Sequence, residues 1–145
     1  MSANLYQQDF YAWASEQAAL LRAGNLSAAD VEHIAEEIES MGKAEKRELV
    51  SRLTVLLLHL LKWQFQPALR GNSWRTTIRV QRVQLADHLD DNPSLRGQCP
   101  EAIRRAYRLA LVEAASETGL PDGTFPPVCP WSFEPLMDEG FWPGD

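Results

Sequence analysis

Residues 27–66 read SAADVEHIAEEIESMGKAEKRELVSRLTVLLLHLLKWQFQ, and this stretch decides the fold. It contains no proline and a single glycine, Gly42. Its apolar residues recur at steps of three and four from Val31 to Trp63, the spacing that places side chains on one face of an α-helix. At ~1.5 Å per residue, a straight helix of this length would exceed the width of a small domain. We therefore predict one long helix that bends near Gly42, and two helices that meet there are the alternative.

The two ends of this stretch carry local signals. Ser27 is a good N-cap with Asp30 three residues later, an arrangement similar to a capping box. Pro67 stops the helix because proline cannot continue it. Residues 53–64, LTVLLLHLLKWQ, are apolar on almost every side, so we expect them to form the central buried element.

Three other main helices are indicated by capping residues at their starts and by glycine or proline at their ends. We place the first at about residues 9–24, the third at 72–91, where Asn72 or Ser73 caps it, and the fourth at 100–118. A short link makes the first two antiparallel neighbours. The chain is therefore predicted to be all-α, an antiparallel bundle of four main helices.

The remaining residues, 119–145, hold six of the nine prolines and five of the thirteen aromatic residues. So many large apolar side chains do not suit a disordered segment. We predict that this tail is ordered, contains a short helix near residues 132–139 and wraps the bundle of residues 1–118, which makes residues 1–145 a single domain. A detachable docking segment is the alternative.

The composition is that of an ordinary globular domain, with 145 residues, 45% hydrophobic and 23% charged. No apolar run approaches the ~18 residues of a membrane span, and the first residues lack the basic start and apolar core of a signal peptide. A cytoplasmic protein without membrane contact is therefore expected. The two cysteines, Cys99 and Cys129, lack metal-ligand spacing and are expected to be free thiols.

The net charge of −6 is unevenly distributed along the chain. Residues 1–42 carry a net charge of −6 and residues 43–82 carry +7, whereas the remainder is acidic. Either the basic middle pairs with the acidic segments inside the bundle, or it forms a binding surface for an anionic partner.

Several separate blocks of the sequence resemble one known family. They are LYQQDFYAWASEQAALLRAG, AEEIESMGKAEKRELVSRLTVLLLHLLKWQFQP, SWRTTIRVQR, and ETGLPDGTFP with the later CPW and GFWP. Together they are similar to the bacterial family catalogued as domain of unknown function number twenty-nine, over nearly the whole chain. The resemblance implies a compact all-helical bacterial domain of about this length. It implies no activity, cofactor or catalytic residue, because none is established for the family.

The acidic start of the long helix is a candidate metal site. His33, Glu36 and Glu37 stand at positions i, i+3 and i+4, which is the reverse of the Glu-x-x-His order found in di-metal helical bundles. The motif occurs only once. A solvated acidic face that the helix dipole stabilises is therefore the preferred interpretation, and no metal or cofactor is assigned.

His59 is a candidate acid–base residue. On a straight helix it lies near the same line as Glu37, Glu48 and Arg52, at the edge of the apolar face. A histidine paired with a carboxylate can act as a general base or a pH switch. The preferred interpretation is a histidine satisfied by a local hydrogen bond, with Glu48 and Arg52 paired to each other, so no catalytic residue is assigned.

The candidate binding surface consists of three arginines on the third helix, Trp74 at the helix start and Arg70 just before the helix. We call this set the arginine strip: Arg70, Trp74, Arg75, Arg79 and Arg82. Arginines beside an exposed aromatic ring suit an acidic protein or a phosphate backbone. Nucleic acid is disfavoured because the chain is acidic overall and has no helix-turn-helix or zinc motif. The other interpretation is that these arginines pair with the acids of residues 30–39.

These observations predict a non-catalytic interaction or regulatory protein that binds another macromolecule through the arginine strip or the tail. A protein partner is favoured, and the oligomeric state is left open. The alternative is a metal-binding or acid–base enzyme bundle that uses Glu36, Glu37 and His59.

Overall fold

The computed structural model describes residues 5–144, and over that range it contains helices and no strand. The α-helices are α1 (Leu5–Gln8), α2 (Phe10–Arg22), α3 (Val31–Phe65), α4 (Asn72–Asp91), α5 (Cys99–Thr118) and α6 (Phe133–Met137). Short 3₁₀-helices cover Pro67–Leu69, Pro93–Gln98 and Asp122–Thr124. The predicted all-α class with four long helices is confirmed.

By their contacts the residues form two compact units. We call Met1–Ala44 the N-terminal unit and Glu45–Asp145 the C-terminal unit. The predicted organisation of residues 1–145 as a single domain stays a prediction.

Helix α3 continues through Gly42, so the predicted long helix is one element and not two. Its predicted start was wrong. The helix begins at Val31, and the side chain of Asp30 accepts a hydrogen bond of 3.4 Å from the backbone N–H of His33. Ser27 lies in the preceding turn, where its hydroxyl donates to the side chain of Asn25. Asp30 therefore takes the capping role because it directly precedes the first helical residue. The bend near Gly42 stays a prediction.

Helix α2 has the start and the end that the sequence predicts. The Asp9 side chain caps it by accepting a hydrogen bond of 3.1 Å from the backbone N–H of Ala12. At the other end Gly24 has a φ of +72°, which side chains with a Cβ adopt at a steric cost. The N–H of Asn25 then donates to the carbonyl of Leu20, and that of Gly24 to Leu21, which is a Schellman ending.

The apolar face predicted for the first half of α3 is largely exposed. Val31, Ile38 and Met41 each keep 59–62% of their surface. Within residues 5–44, the helices besides α3 are α1 and α2, and the buried residues of α2 are Trp13 and Gln17. The apolar face of α3 is therefore buried only from Leu49 onward.

The core of the C-terminal unit is built around the second half of α3, as predicted. Its leucines from Leu49 to Leu61 are all buried, and each contributes about 2 kcal/mol relative to an exposed position. They pack with Ile78, Leu85 and Leu89 of α4. Helix α5 presents buried alanines to the same core, which lets its backbone approach closely. These alanines are Ala102, Ala106, Ala110 and Ala114.

The start of α4 differs from the prediction. Gly71 occupies the N-cap position, and no side chain caps the helix. The first helical hydrogen bond runs from the N–H of Arg75 to the carbonyl of Gly71, over 3.1 Å. Asn72 is the first helical residue, and its side chain instead accepts a hydrogen bond from the Arg75 guanidinium. At the end of α5, Gly119 supplies the predicted left-handed residue, with a φ of 71°.

The tail is ordered and packs on the core, as predicted. Phe125 and Leu136 are buried, and the ring of Phe125 meets that of Phe65 edge-on at 5.2 Å. The ring of Trp142 lies 4.7 Å from that of Trp63. The short helix α6, Phe133–Met137, falls inside the span expected for it.

A candidate partner-binding cleft

The structure divides the arginine strip into residues that hold the tail and residues that face solvent. Arg82 belongs to the first group, with only 3% of its surface exposed. Its Nε donates a hydrogen bond of 2.7 Å to the carbonyl of Leu136, and its Nη2 donates one of 2.8 Å to the carbonyl of Phe141. The guanidinium also lies 5.4 Å from the ring centre of Trp142. Arg82 thus fastens the tail to α4.

Arg70 makes a second attachment of the tail. Its Nε donates a hydrogen bond of 2.7 Å to the carbonyl of Trp63, and its Nη2 donates one of 3.3 Å to the carbonyl of Pro143. The next residue, Gly144, has a φ of 85°, and a Cβ there would lie 2.9 Å from the Arg70 Nη2. Only glycine therefore fits at this position without moving Arg70.

Arg75 and Arg79 are the solvent-facing members. Arg75 lies 5.3 Å from the ring centre of Trp63, and its Nη1 donates to Asn72. Among residues 5–144, the side chain of Arg79 has no hydrogen-bond or ion-pair partner. The aromatic member of the strip, Trp74, is partly buried, and the Lys62 ammonium lies 4.9 Å from its ring centre.

A cleft of about 910 Å³ lies between α4 and the end of the tail. We call it the α4–tail cleft. It is lined by Arg75, Thr76, Arg79, Val80, Arg82, Val83, Gln84, Asp87, Glu139 and Trp142. The cleft thus combines three guanidinium groups, two carboxylates, two valines and an indole ring.

The charge of Arg82 is incompletely compensated at the wall of this cleft. Its Nη1 is buried and has no hydrogen-bond acceptor within the described part of the chain. Burial lowers the pKa of Arg82, while the nearby carboxylates of Asp138 and Glu139 act in the opposite direction. A buried cation with an unmet donor raises the positive potential around it.

The two valines, Trp142 and the acidic residues of the cleft were not predicted from the sequence as site residues. Val80 and Val83 stand three positions apart on α4 and keep 43% and 55% of their surface. Their spacing on α4, outside the inner face of the helix, could have identified Val80 and Val83 as an exposed apolar pair. The presence of Glu139 and Trp142 in the cleft could not be predicted from the sequence, because it depends on where the tail packs.

His59 has a local partner. Its Nδ1 lies 2.8 Å from the carbonyl oxygen of Val55, one turn earlier on α3. Burial lowers the pKa of His59, and the Lys62 ammonium acts in the same direction, which favours the neutral ring. Glu48 and Arg52, which were predicted to lie along the same side of α3 as His59, pair with each other at 3.2 Å.

Glu48 also contacts a histidine that the sequence analysis did not consider. The Nδ1 of His88 lies 3.1 Å from a carboxylate oxygen of Glu48, and its Nε2 lies 2.8 Å from the carbonyl oxygen of Glu45. His88 is buried, with 6% of its surface exposed. This contact joins α4 to α3 and is structural in character.

The acidic start of α3 forms a polar–aromatic cluster in the N-terminal unit. His33 Nδ1 lies 2.7 Å from a carboxylate oxygen of Asp30, which also accepts a hydrogen bond from the Trp13 indole. The Tyr6 ring stacks on His33 at 4.0 Å, and the Tyr6 hydroxyl donates to Glu37. That hydrogen bond, followed by burial, raises the pKa of Tyr6 to about 12. Asp30 raises the pKa of His33 in turn.

Two of the candidate metal ligands therefore contact other side chains: His33 pairs with Asp30, and Glu37 accepts a hydrogen bond from Tyr6. Across residues 5–144, no group of three or more histidine, cysteine or carboxylate side chains is placed to hold a metal ion. Glu36 and Glu37 belong to the N-terminal unit and His59 to the C-terminal unit, so their joint use stays a prediction. Pairing of the arginines with the acids of residues 30–39 also falls between the units and stays a prediction.

Both cysteines are free, as predicted. Burial raises the pKa of the Cys99 thiol and that of the Cys129 thiol, so neither has the lowered pKa of a nucleophilic cysteine. In the part of the chain that the structure covers, every helix is too short or too polar to cross a membrane.

Comparison with known proteins identifies a family. Residues 5–142 match the model described as "Domain of unknown function DUF29", and the chain belongs to that family. No curated protein and no solved structure gives a significant match.

Proposed function

We propose that this protein is a non-catalytic interaction protein whose α4–tail cleft binds an acidic, partly apolar segment of a protein partner. The observation that carries the proposal is the placement of Arg75, Arg79 and Arg82 in one cleft beside the exposed valines Val80 and Val83. A ligand that matches this lining presents a carboxylate next to an apolar side chain.

The charge pattern supports a protein segment over nucleic acid. Asp87 and Glu139 line the same cleft as the three arginines. A phosphate polymer would bring repeated negative charges against both carboxylates, and the whole chain carries a net charge of −6. A protein segment with a single acid and an apolar neighbour avoids that repulsion.

The cleft is preorganised for a carboxylate. Hydrogen bonds to the carbonyls of Leu136 and Phe141 fix the guanidinium of Arg82 before a ligand arrives. Little side-chain entropy is then lost at that residue on binding, which favours affinity. Arg75 and Arg79 remain exposed and can form the direct, charge-assisted hydrogen bonds.

The valines and Trp142 supply the apolar part of the surface. Protein interfaces are anchored by buried apolar and aromatic groups, with charged groups towards the rim. Val80 and Val83 lie one turn apart on α4, so one extended or helical segment can contact both. This arrangement selects against a ligand that is only acidic.

Selection of binding peptides from a random library tests the proposal. We expect the enriched sequences to contain aspartate or glutamate next to apolar residues. A synthetic peptide with the enriched sequence should bind the wild-type chain at least tenfold more tightly than the Arg79→Glu or Arg75→Glu variants. Val83→Asp should weaken binding as well, because it places a carboxylate at the apolar part of the cleft.

The matched control is Arg105→Glu, which reverses an exposed arginine on α5 outside the cleft. It should bind the peptide like the wild type, and all variants should keep the wild-type melting temperature within a few degrees. The proposal fails if no sequence is enriched, if the enriched sequences lack acids, or if Arg79→Glu and Arg105→Glu behave alike.

A further inference from the structure

A second cavity, of about 390 Å³, lies on the C-terminal unit between α5 and the tail segment 127–133. Its volume falls in the range of small-molecule sites. Its wall is formed by Ile103 and Tyr107 of α5 and by Val128, Trp131 and Phe133 of the tail. This lining is almost entirely apolar. None of these residues belongs to the α4–tail cleft.

Two polar groups of the lining are already used within the protein, whereas Ser132, which also lines the cavity, is exposed. The Tyr107 hydroxyl donates a hydrogen bond of 2.6 Å to the carbonyl of Pro126. The thiol of Cys129 lies 3.3 Å from the carbonyl oxygen of Trp131. A ligand in the cavity therefore meets mainly apolar side chains and aromatic rings.

Two arginines contribute to the lining of the cavity. Arg104 and Arg108 lie one turn apart on α5 and both line the cavity. Arg104 is engaged by Glu101, whose carboxylate accepts from its Nη2. Arg108 is exposed, and among residues 5–144 its side chain has no hydrogen-bond or ion-pair partner. The guanidinium of Arg108 is thus available to a ligand beside the apolar lining of the cavity.

We infer that this cavity binds a small apolar carboxylate, with its hydrocarbon body between Tyr107 and Trp131 and its charged group on Arg108. Burial of the body supplies most of the affinity, because the lining is apolar. The carboxylate provides orientation, since guanidinium matches its planar geometry. A neutral or cationic compound of the same shape lacks that interaction.

The experiment titrates 2-naphthoate into the full chain and measures heat by calorimetry. We expect saturable binding of one molecule per chain. The neutral 2-naphthamide should bind at least tenfold more weakly, and Arg108→Glu should weaken 2-naphthoate at least tenfold. Decanoate, an acyl carboxylate, serves as a second probe and distinguishes a preference for a ring from a preference for a chain.

Cys129 gives an independent readout because it lines the cavity. Bound 2-naphthoate should slow the reaction of this thiol with a soluble disulfide reagent, with the same midpoint concentration as in calorimetry. The Cys129→Ser variant identifies the signal, since the remaining cysteine, Cys99, is buried with 2% of its surface exposed.

Two variants locate the site. Arg105→Glu, on α5 outside the cavity, and Arg79→Glu, in the α4–tail cleft, should both bind 2-naphthoate like the wild type. Melting temperatures of all variants confirm folding. The inference is overturned if neither 2-naphthoate nor decanoate saturates at millimolar concentration, if Arg108→Glu leaves affinity unchanged, or if Cys129 is not protected. Loss of binding in Arg79→Glu alone would also overturn it, because the ligand would then occupy the other cleft.

Discussion

The Nε atom of Arg82 donates a hydrogen bond of 2.7 Å to the carbonyl oxygen of Leu136, a residue 54 positions later in the chain. Together with the bond from Nη2 to Phe141, it fixes both the tail and one wall of the α4–tail cleft. The same side chain therefore serves stability and the shape of the candidate site.

Replacing Arg82 with methionine should destabilise the protein by about 3 kcal/mol, because two carbonyl groups lose charged hydrogen-bond donors in a buried setting. The measurement is urea unfolding followed by circular dichroism. Arg79→Met on the same helix is the control and should change stability by less than about 0.5 kcal/mol, since Arg79 is exposed. Equal effects of the two substitutions would contradict the role given to Arg82.

Leu136→Ala should lower the free energy of unfolding by about 2–4 kcal/mol, because Leu136 is fully buried and its removal leaves a cavity in the core. Val112→Ala removes an apolar side chain that keeps 72% of its surface and should have an effect below about 0.5 kcal/mol. Chemical denaturation of both variants checks the prediction. A tail that is not part of the folded core would make the two variants equivalent.

Gly42→Ala should stabilise the protein by about 0.5–1 kcal/mol, because alanine is the better helix former in the interior of α3. A Cβ added there meets no atom within 4 Å, so no clash opposes the gain. Gly24→Ala is the opposite control, since the φ of +72° penalises any Cβ. In thermal unfolding, the midpoint temperature of Gly42→Ala should be higher than that of the wild type, and the midpoint of Gly24→Ala should be lower.

The ring of His33 should titrate with a pKa above 6.5, because the Asp30 carboxylate stabilises its charged form, with smaller help from Glu36 and Glu32. Proton NMR of the imidazole measures this value, and Asp30→Asn should return it towards 6.5. Since the folded pKa is the higher one, the stabilisation is complete below pH 6.5 and is lost as the pH rises through the folded pKa. A measured pKa at or below 6.5 would contradict the Asp30 pairing.

His59 should behave in the opposite way, with a pKa below 6.5, because burial opposes its charged form. The folded state then binds fewer protons than the unfolded state between the two pKa values. Stability from the neutral ring is present above pH 6.5 and is lost as the pH falls through the folded pKa. The His59→Gln variant should therefore lose less stability than the wild type between pH 7 and pH 5, as measured by urea unfolding.

Helix ends with a strong local signal were predictable. Gly24 and Gly119 adopt the left-handed conformation that side chains resist, and Pro67 follows the end of α3. The starts were less predictable where several capping residues stand close together. Ser27 and Asp30 are both good N-caps, and only the position of the first helical residue decides between them.

The candidate site was only partly predictable for a non-local reason. The spacing of the arginines on α4 predicted that Arg75, Arg79 and Arg82 lie close together, and all three line the α4–tail cleft. The spacing could not show that Arg82 is buried, because the acceptors of Arg82 are backbone carbonyls of the tail. Every residue has a backbone carbonyl, so the sequence does not indicate which ones accept. The contact between Lys62 and the Trp74 ring was not predictable for the same reason, because it joins residues of two different helices. The predicted binding role of Trp74 stays a prediction.

The attachment of the tail to Arg82 also has a consequence during translation. The acceptor carbonyl of Phe141 is synthesised 59 residues after Arg82 itself. A nascent chain that has reached only residue 130 carries an arginine without acceptors and an open edge in place of the finished cleft. If the proposed function is correct, this surface can recognise its partner only after the tail has been synthesised and has reached Arg82.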